Sequence, residues 1–286
     1  YGFVVVTGHG VDAKQLSQLS KLAKTFFAQP SEVKEQIAVD GGYGSGAGYN
    51  RLGKENVEAT LGESDRNMAA DYVESLVFHN YGWPPDPEVP LEGNFNEVIK
   101  TYCASVTELV RGMMQLTAHS LGAPPTFFDE HYEGLKFDGF LKLSWYPKQD
   151  PKPSPGQIRY GSHTDYQCLT VLKVEDVPGL QVQIGGEWVS VPYIEGAFII
   201  NVGDTLRRWT NGILSSNLHR VVNPESQSDD GRLSIVFFTG PHSDTPIIPY
   251  EGWIKKGETA KHSPITAGEY LDIKISRSQT NPDSTG

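Results

Sequence analysis

Cysteine is almost absent from this sequence, since Cys103 and Cys168 are the only two among 286 residues. Two thiols cannot build the disulfide framework of a small secreted scaffold, and this favours a reducing compartment. We therefore expect a cytoplasmic protein with two free thiols. The chain also lacks an apolar run as long as a membrane span, and no signal-peptide pattern is recognised, so we expect no membrane partner.

Positive charge is scarce as well. The sequence has 24 Lys and Arg against 35 Asp and Glu, a formal net charge of −11. Nucleic acids and anionic membranes bind basic faces, so this charge argues against both as main partners. A hydrophobic fraction of 38% and a charged fraction of 21% are typical of a soluble globular protein with a sizeable core, and we expect a monomer.

The first half of the chain is mostly helical in pattern. An apolar strand over residues 2–7 leads to a helix that Asp12 can N-cap and that runs to about Phe27. A longer helix follows, with apolar residues at helical spacing from Phe95 to Leu116, a cap at Asn94 and a stop at Gly122. Between them lie a glycine-dense loop over 41–49, without the Gly-Lys-Ser/Thr ending of a P-loop, and a rigid proline-rich connection over 83–90.

The pattern changes from Gly139 onward, where short apolar runs alternate with turn residues. These runs predict strands over residues 140–146, 168–174, 180–184, 187–191, 197–202, 218–222 and 233–239. Several short strands at near-regular spacing favour an all-β sandwich or barrel. We predict one domain with a mostly helical part over 1–138, a β core over 139–245 and a C-terminal extension over 246–286 that contains a helix from Thr266 to Ile275.

A histidine and a carboxylate two residues apart are the first candidates for chemistry. His163 and Asp165 would share one face of a strand, while Thr164 points away. They form two-thirds of a 2-His-1-carboxylate facial triad, the ligand set of non-heme Fe(II), and a third ligand is available at His219 on a later apolar run.

Two further strands place polar groups on one face. Alternation puts Arg232, Ser234 and Phe238 on the same side of the last predicted strand. An arginine beside a hydroxyl can clamp a carboxylate through a bidentate, charge-assisted pair and one more hydrogen bond. Lys142 and Tyr146 share a face of the strand over 140–146, which predicts a polar cavity if that face is not solvent.

The motifs together resemble a known family, the isopenicillin-N-synthase-like branch of the Fe(II)/2-oxoglutarate-dependent oxygenases. The resemblance covers nearly the whole chain and rests on segments 2–11, 146–147, 163–165, 201–204, 209–212, 219–221 and 232–234. It implies a double-stranded β-helix, or jelly roll, with flanking α-helices. It implies Fe(II) held by His163, Asp165 and His219, with 2-oxoglutarate and O₂ as co-substrates.

The resemblance also implies that Arg232 and Ser234 hold the distal carboxylate of 2-oxoglutarate and that Tyr146 touches it. The chain departs from the family at Ser144, where asparagine is usual, and at Lys142, where arginine is usual. The expected activity is hydroxylation or another oxidation of a small organic molecule, with release of succinate and CO₂.

Several alternatives stay open at this stage. The Arg232–Ser234 pair could hold a substrate carboxylate or bicarbonate in an oxidase that does not use 2-oxoglutarate, and a non-catalytic metal-binding jelly roll is a third possibility. Lys142 either contacts substrate or reaches solvent from the end of its strand, and Arg159 is either a cation at the pocket mouth or a surface residue. We expect Tyr166 and Phe238 to face the cavity.

Overall fold

The computed structural model describes residues 2–39, 47–61, 69–79, 91, 93–131, 137–149, 152–224 and 231–278. The proline-rich connection over 83–90, most of the glycine-dense loop and the tail beyond 278 lie outside these ranges. The α-helices are α1 (Ala13–Phe27), α2 (Ser31–Lys34), α3 (Phe95–Ser120), α4 (Asp204–Trp209) and α5 (Ala267–Ser278). No helix in these ranges is both long and apolar enough to cross a membrane.

The strands form two main sheets and a short hairpin-like pair. Their bounds are β1 (Phe3–Val6), β2 (Gly48–Asn50), β3 (Glu74–His79), β4 (Phe137–Tyr146), β5 (Tyr160–His163), β6 (Leu169–Val174), β7 (Leu180–Ile184), β8 (Glu187–Ser190), β9 (Phe198–Val202), β10 (His219–Val221), β11 (Arg232–Pro241), β12 (Pro246–Ile247) and β13 (Ile265–Thr266). All seven strands predicted after Gly139 are present, each within three residues of its predicted bounds.

The larger sheet has seven antiparallel strands in the order β1-β9-β6-β11-β4-β3-β2, and the smaller has four in the order β5-β10-β7-β8. The two sheets make the jelly roll that the sequence predicted. Because β1, β2 and β3 belong to the larger sheet, the N-terminal part shares that sheet with the later strands. The division into segments 1–138, 139–245 and 246–286 stays a prediction.

The central strands β4 and β11 give the larger sheet two different faces. Leu141, Leu143 and Ile235 are fully buried in a core shared with α1 and α3. The opposite face carries the polar residues, with Arg232 opposite Tyr146 and Ser234 opposite Ser144. Strand alternation therefore separates an apolar helix-packed face from a polar face that looks toward the smaller sheet.

The two long helices follow the predicted pattern with two differences. Asp12 caps α1 as expected, its side chain accepting the Lys14 N–H at 2.9 Å. Asn94 precedes α3 but makes no side-chain capping bond, so that part of the prediction is wrong. Leu116, expected on the apolar face of α3, is 63% exposed, because the buried stripe runs through Met114 instead.

This stripe gives a matched pair of substitutions on one helix. We expect Met114→Ala to lower the free energy of unfolding by about 2–5 kcal/mol, because Met114 is 1% exposed and its loss leaves a cavity. Leu116→Ala is the control and should stay within about 0.5 kcal/mol of wild type. Urea unfolding of both variants measures the difference, and equal losses would contradict the assigned helix face.

Candidate active site

Two histidines meet across neighbouring strands of the smaller sheet. His163 ends β5, His219 begins β10, and the two are direct cross-strand partners with ring centroids 4.1 Å apart. Asp165 lies beyond the end of β5, so the expectation that it shares a strand face with His163 is wrong. The turn nevertheless brings its Oδ1 to 3.7 Å from the Nε2 atoms of both histidines.

Hydrogen bonds orient each of these side chains. Gly161 O lies 2.9 Å from His163 Nδ1, and Asn217 O lies 3.2 Å from His219 Nδ1. Each backbone carbonyl can accept a hydrogen bond from Nδ1–H, which leaves Nε2 as the lone-pair nitrogen that faces Asp165.

Among the described residues, hydrogen bonds hold the Asp165 carboxylate through its Oδ2 atom. Its Oδ2 accepts hydrogen bonds from Thr170 Oγ1 at 2.5 Å and from Asn201 Nδ2 at 2.6 Å. Thr170 and Asn201 are cross-strand partners on β6 and β9 of the larger sheet. Oδ1 is therefore the oxygen presented to the two histidines.

Burial and charge set the protonation of these groups. The pKa of His163 falls to about 3, because burial and the neighbouring His219 lower it against the opposing pull of Asp165. Burial raises the pKa of Asp165, but His219, His163 and the hydrogen bonds from Asn201 and Thr170 outweigh it and hold that pKa below its usual value. A neutral imidazole beside an ionised carboxylate is the form that binds a metal ion.

This donor set fits a divalent transition metal. The three ligand atoms lie within 4.8 Å of one another, and all three residues are buried. Two imidazole nitrogens and one carboxylate oxygen on one side leave positions open on the other, the arrangement typical of non-heme Fe(II) oxygenases.

The three side chains line a cavity between the two sheets. It encloses about 520 Å³ of empty space, including its opening to solvent. Arg232, Ser234 and Tyr146 line the same cavity from the larger sheet. The Arg232 guanidinium is 1% exposed, donates to Ser234 Oγ at 2.9 Å and lies 5.5 Å from the centre of the Tyr146 ring.

Comparison with known proteins agrees with this geometry. Residues 137–241 match the 2OG-Fe(II) oxygenase superfamily, and residues 1–97 match the non-haem dioxygenase N-terminal family, named for dioxygenases in morphine synthesis. The sequence is 32% identical to homoarginine-6-hydroxylase 2-ODD-233 from Oryza sativa subsp. japonica over 96% of this chain and 84% of the relative. The chain belongs to the Fe(II)/2-oxoglutarate-dependent oxygenases.

Solved structures of relatives contain the expected co-substrate. The crystal structure of Neurospora crassa T7H in complex with alpha-KG (2-oxoglutarate) and thymine superimposes with a TM-score of 0.82 at 26% identity, covering 96% of this chain and 87% of T7H. JOX2 in complex with 2OG, Fe and JA superimposes with a TM-score of 0.79 at 26% identity, covering 98% of this chain and 82% of JOX2. This oxygenase is an Fe(II)- and 2-oxoglutarate-dependent dioxygenase of small molecules.

The sequence left two interpretations open for Lys142. It is 2% exposed and lines the cavity, which rules out the interpretation that it reaches solvent. Its Nζ forms an ion pair with Glu55 Oε2 and donates to Tyr160 Oη at 3.0 Å. Tyr160 Oη in turn lies 3.0 Å from Glu55 Oε2, and Ser75 Oγ donates to Glu55 Oε1 at 2.6 Å. The ammonium is thus compensated inside the protein.

Of the three remaining substrate candidates, one lines the cavity and two do not. Phe238 lines the cavity and stacks on Phe140 with centroids 4.5 Å apart. Arg159 is 0% exposed, so it is not a surface residue, and it is not among the described residues that line the cavity. Tyr166 does not line it either, because it packs beside a smaller cavity with Lys274 Nζ 5.4 Å from its ring centre.

Some site residues were missed in the sequence. Asn201 was noted only as part of a motif, and Thr170 only as part of a strand, although both orient Asp165. Their alternation with the neighbouring apolar residues could have placed them on the inner face. Glu55 lies 87 residues before its partner Lys142, outside any recognisable pattern.

The Lys142–Glu55 pair gives a stability prediction. Lys142→Met should lower the free energy of unfolding by about 3–5 kcal/mol, because it leaves the Glu55 carboxylate buried without its counter-ion. The double variant Lys142→Met/Glu55→Leu removes both charges and should recover most of the loss. Urea unfolding of the metal-free protein gives both values. A single variant as stable as wild type would contradict the buried ion pair.

Proposed function

We propose that His163, Asp165 and His219 hold the catalytic Fe(II) of this dioxygenase, and that Arg232, Ser234 and Tyr146 hold the distal carboxylate of 2-oxoglutarate. The observation that carries the proposal is the convergence of both groups on one cavity. A cation and two hydroxyl groups at one end of that cavity suit a carboxylate that must leave water.

The residues contribute to the reaction by binding and orientation. When bound, iron supplies the redox chemistry that couples the decarboxylation of 2-oxoglutarate to succinate and CO₂ with oxidation of the substrate. Arg232 offsets the buried charge of the co-substrate, and Ser234 adds a hydrogen bond. Burial raises the pKa of Tyr146 to about 12, although Arg232 opposes this rise, so the phenol stays a hydrogen-bond donor.

The cavity wall supports a substrate that is uncharged where it meets Lys142. Since Lys142 and Glu55 neutralise each other, an anionic group there would compete with an existing carboxylate. Six of the other wall residues are apolar, namely Phe3, Leu172, Leu180, Val221, Val236 and Phe238. We propose a small organic molecule that presents apolar surface and a neutral hydrogen-bonding group.

Three further expectations remain proposals. The net charge of −11 supports the absence of a nucleic-acid partner. The two cysteines are buried and form no disulfide, which is compatible with a cytoplasmic location. We also propose that the protein acts as a monomer, which sedimentation at several concentrations would test.

Succinate release identifies the reaction and its co-substrate. The purified oxygenase is incubated anaerobically with Fe(II), then exposed to O₂ with fractionated metabolite extracts, with and without 2-oxoglutarate. Succinate formation that depends on 2-oxoglutarate and rises with a fraction supports the proposal. Oxygen uptake without 2-oxoglutarate would favour an oxidase, and no turnover with any fraction would favour a non-catalytic metal protein.

His219→Ala tests the metal ligands. We expect it to abolish Fe(II)-dependent turnover while the metal-free protein keeps its circular dichroism spectrum and melting temperature, because β10 pairs with β5 and β7 through its backbone and not through the imidazole. Anaerobic Fe(II) titration checks the loss of binding directly. Wild-type turnover in this variant would show that the ligand set is wrong.

Arg232→Ala tests the clamp. Truncating one partner of a buried charge pair costs about 3–5 kcal/mol, which corresponds to a rise of roughly two to three decades or more in the 2-oxoglutarate requirement. Fe(II) affinity should change little, since Arg232 is not a ligand. Arg232→Lys keeps the positive charge but lacks the planar guanidinium. Its 2-oxoglutarate requirement should therefore lie between those of the wild type and Arg232→Ala. An unchanged co-substrate requirement in Arg232→Ala would place the clamp elsewhere.

A further inference from the structure

One buried carboxylate joins the C-terminal helix to the turn that carries Asp165. Asp204, the first residue of α4, is 4% exposed. Its Oδ2 accepts hydrogen bonds from Thr164 Oγ1 at 2.9 Å and Tyr270 Oη at 2.8 Å, and it pairs with Lys274 Nζ at 3.0 Å. Thr164 stands between two proposed iron ligands, whereas Tyr270 and Lys274 belong to α5.

Backbone contacts hold the same turn from the same side. The Asp204 N–H donates to the carbonyl oxygen of Asp165 at 2.8 Å. Thr205 donates to the carbonyl oxygen of Tyr166 from its backbone N at 3.1 Å and from its Oγ1 at 2.8 Å. The start of α4 thus fixes the backbone of the turn, and the Asp204 side chain connects that turn to α5.

Hydrogen bonds fix the start of α5. Thr266 and Glu269 form a capping box, with the Thr266 N–H donating to Glu269 Oε2 at 2.9 Å and the Glu269 N–H donating to Thr266 Oγ1 at 3.1 Å. The Ala267 N–H donates to the carbonyl oxygen of Thr245 at 3.0 Å, just past β11. With the helix start fixed, Tyr270 and Lys274 lie one turn apart on one face.

We propose that Asp204 is a positioning residue for the iron site and that α5 is part of that site through Asp204. This inference rests on the proposed ligand set of His163, Asp165 and His219. The contacts from α5 hold the Asp204 carboxylate where it accepts the hydrogen bond from Thr164, so their loss loosens the turn that carries Asp165.

Charge gives a second reason for the link. The Asp204 carboxylate is buried close to the Asp165 turn, and the Lys274 ammonium compensates it. Removing Lys274 takes away the cation that pairs with this buried carboxylate, so Asp204 must rearrange toward water. That rearrangement changes its contact with Thr164. Loss of partners that orient metal ligands typically weakens metal affinity about 10–100-fold.

The test uses the full chain and Fe(II) affinity. Tyr270→Phe and Lys274→Met each remove one contact of Asp204, and Thr164→Val removes the contact on the ligand side. Asp272→Asn is the matched control, because Asp272 is an exposed charge on the same helix. Fe(II) dissociation constants come from anaerobic titration in the presence of 2-oxoglutarate, monitored by the visible charge-transfer absorption. The melting temperature of each metal-free protein is measured beside it.

We expect Tyr270→Phe and Lys274→Met to weaken Fe(II) binding about tenfold, Lys274→Arg to restore most of that affinity, and Asp272→Asn to match wild type. If both ends act through Asp204, Thr164→Val combined with Tyr270→Phe weakens binding less than the product of the single effects. If the double variant weakens Fe(II) binding by the full product of the two single effects, the link through Asp204 is overturned.

Two other outcomes separate this inference from the proposed function. A lower melting temperature with unchanged Fe(II) affinity would show that α5 only packs against the core, and would overturn this inference alone. If His219→Ala binds Fe(II) as the wild-type protein does, or if neither protein binds it, the proposed ligand set is wrong. The inference is then overturned with it.

Discussion

The geometry of the site depends on the way one buried carboxylate is shared. Asp165 Oδ2 accepts hydrogen bonds from Thr170 and Asn201 on the larger sheet, and Oδ1 faces two histidines on the smaller sheet. The ligand set therefore bridges the two layers of the jelly roll. Neither sheet alone could form it, because one supplies the imidazoles and the other holds the carboxylate in place. This explains why the site lies between the sheets.

Polarity within the cavity follows from the same two-layer arrangement. Along β4 and β11, the pair Arg232 and Tyr146 marks one end, and Lys142 lies four residues before Tyr146 on the same face. Glu55 compensates Lys142, so the cation offered to a ligand is at the Arg232 end. The N-terminal part thereby supplies the counter-ion of Lys142, and its helices α1 and α3 cover the apolar face of the larger sheet.

Local pattern predicted the elements well and their details less well. The strands after Gly139 were recognisable because alternation and turn residues are local signals. The stripe on α3 was misassigned at Leu116, since helical spacing allows two neighbouring rows and only packing against the sheet selects one. The reason given for Asp165 was wrong, because the strand ends at His163 and hydrogen bonds from the larger sheet orient the carboxylate.

The sequence by itself determined the fold class, the oxygenase family and the candidate residues at the iron and co-substrate sites. These depend on residue types at short spacing, such as His163 with Asp165 and Arg232 with Ser234. The tertiary structure alone decided that Lys142 pairs with Glu55 at a separation of 87 residues and that Asp204 meets Tyr270 at a separation of 66. Such contacts arise where separate elements pack together, and local periodicity carries no information about which distant residues will then be neighbours.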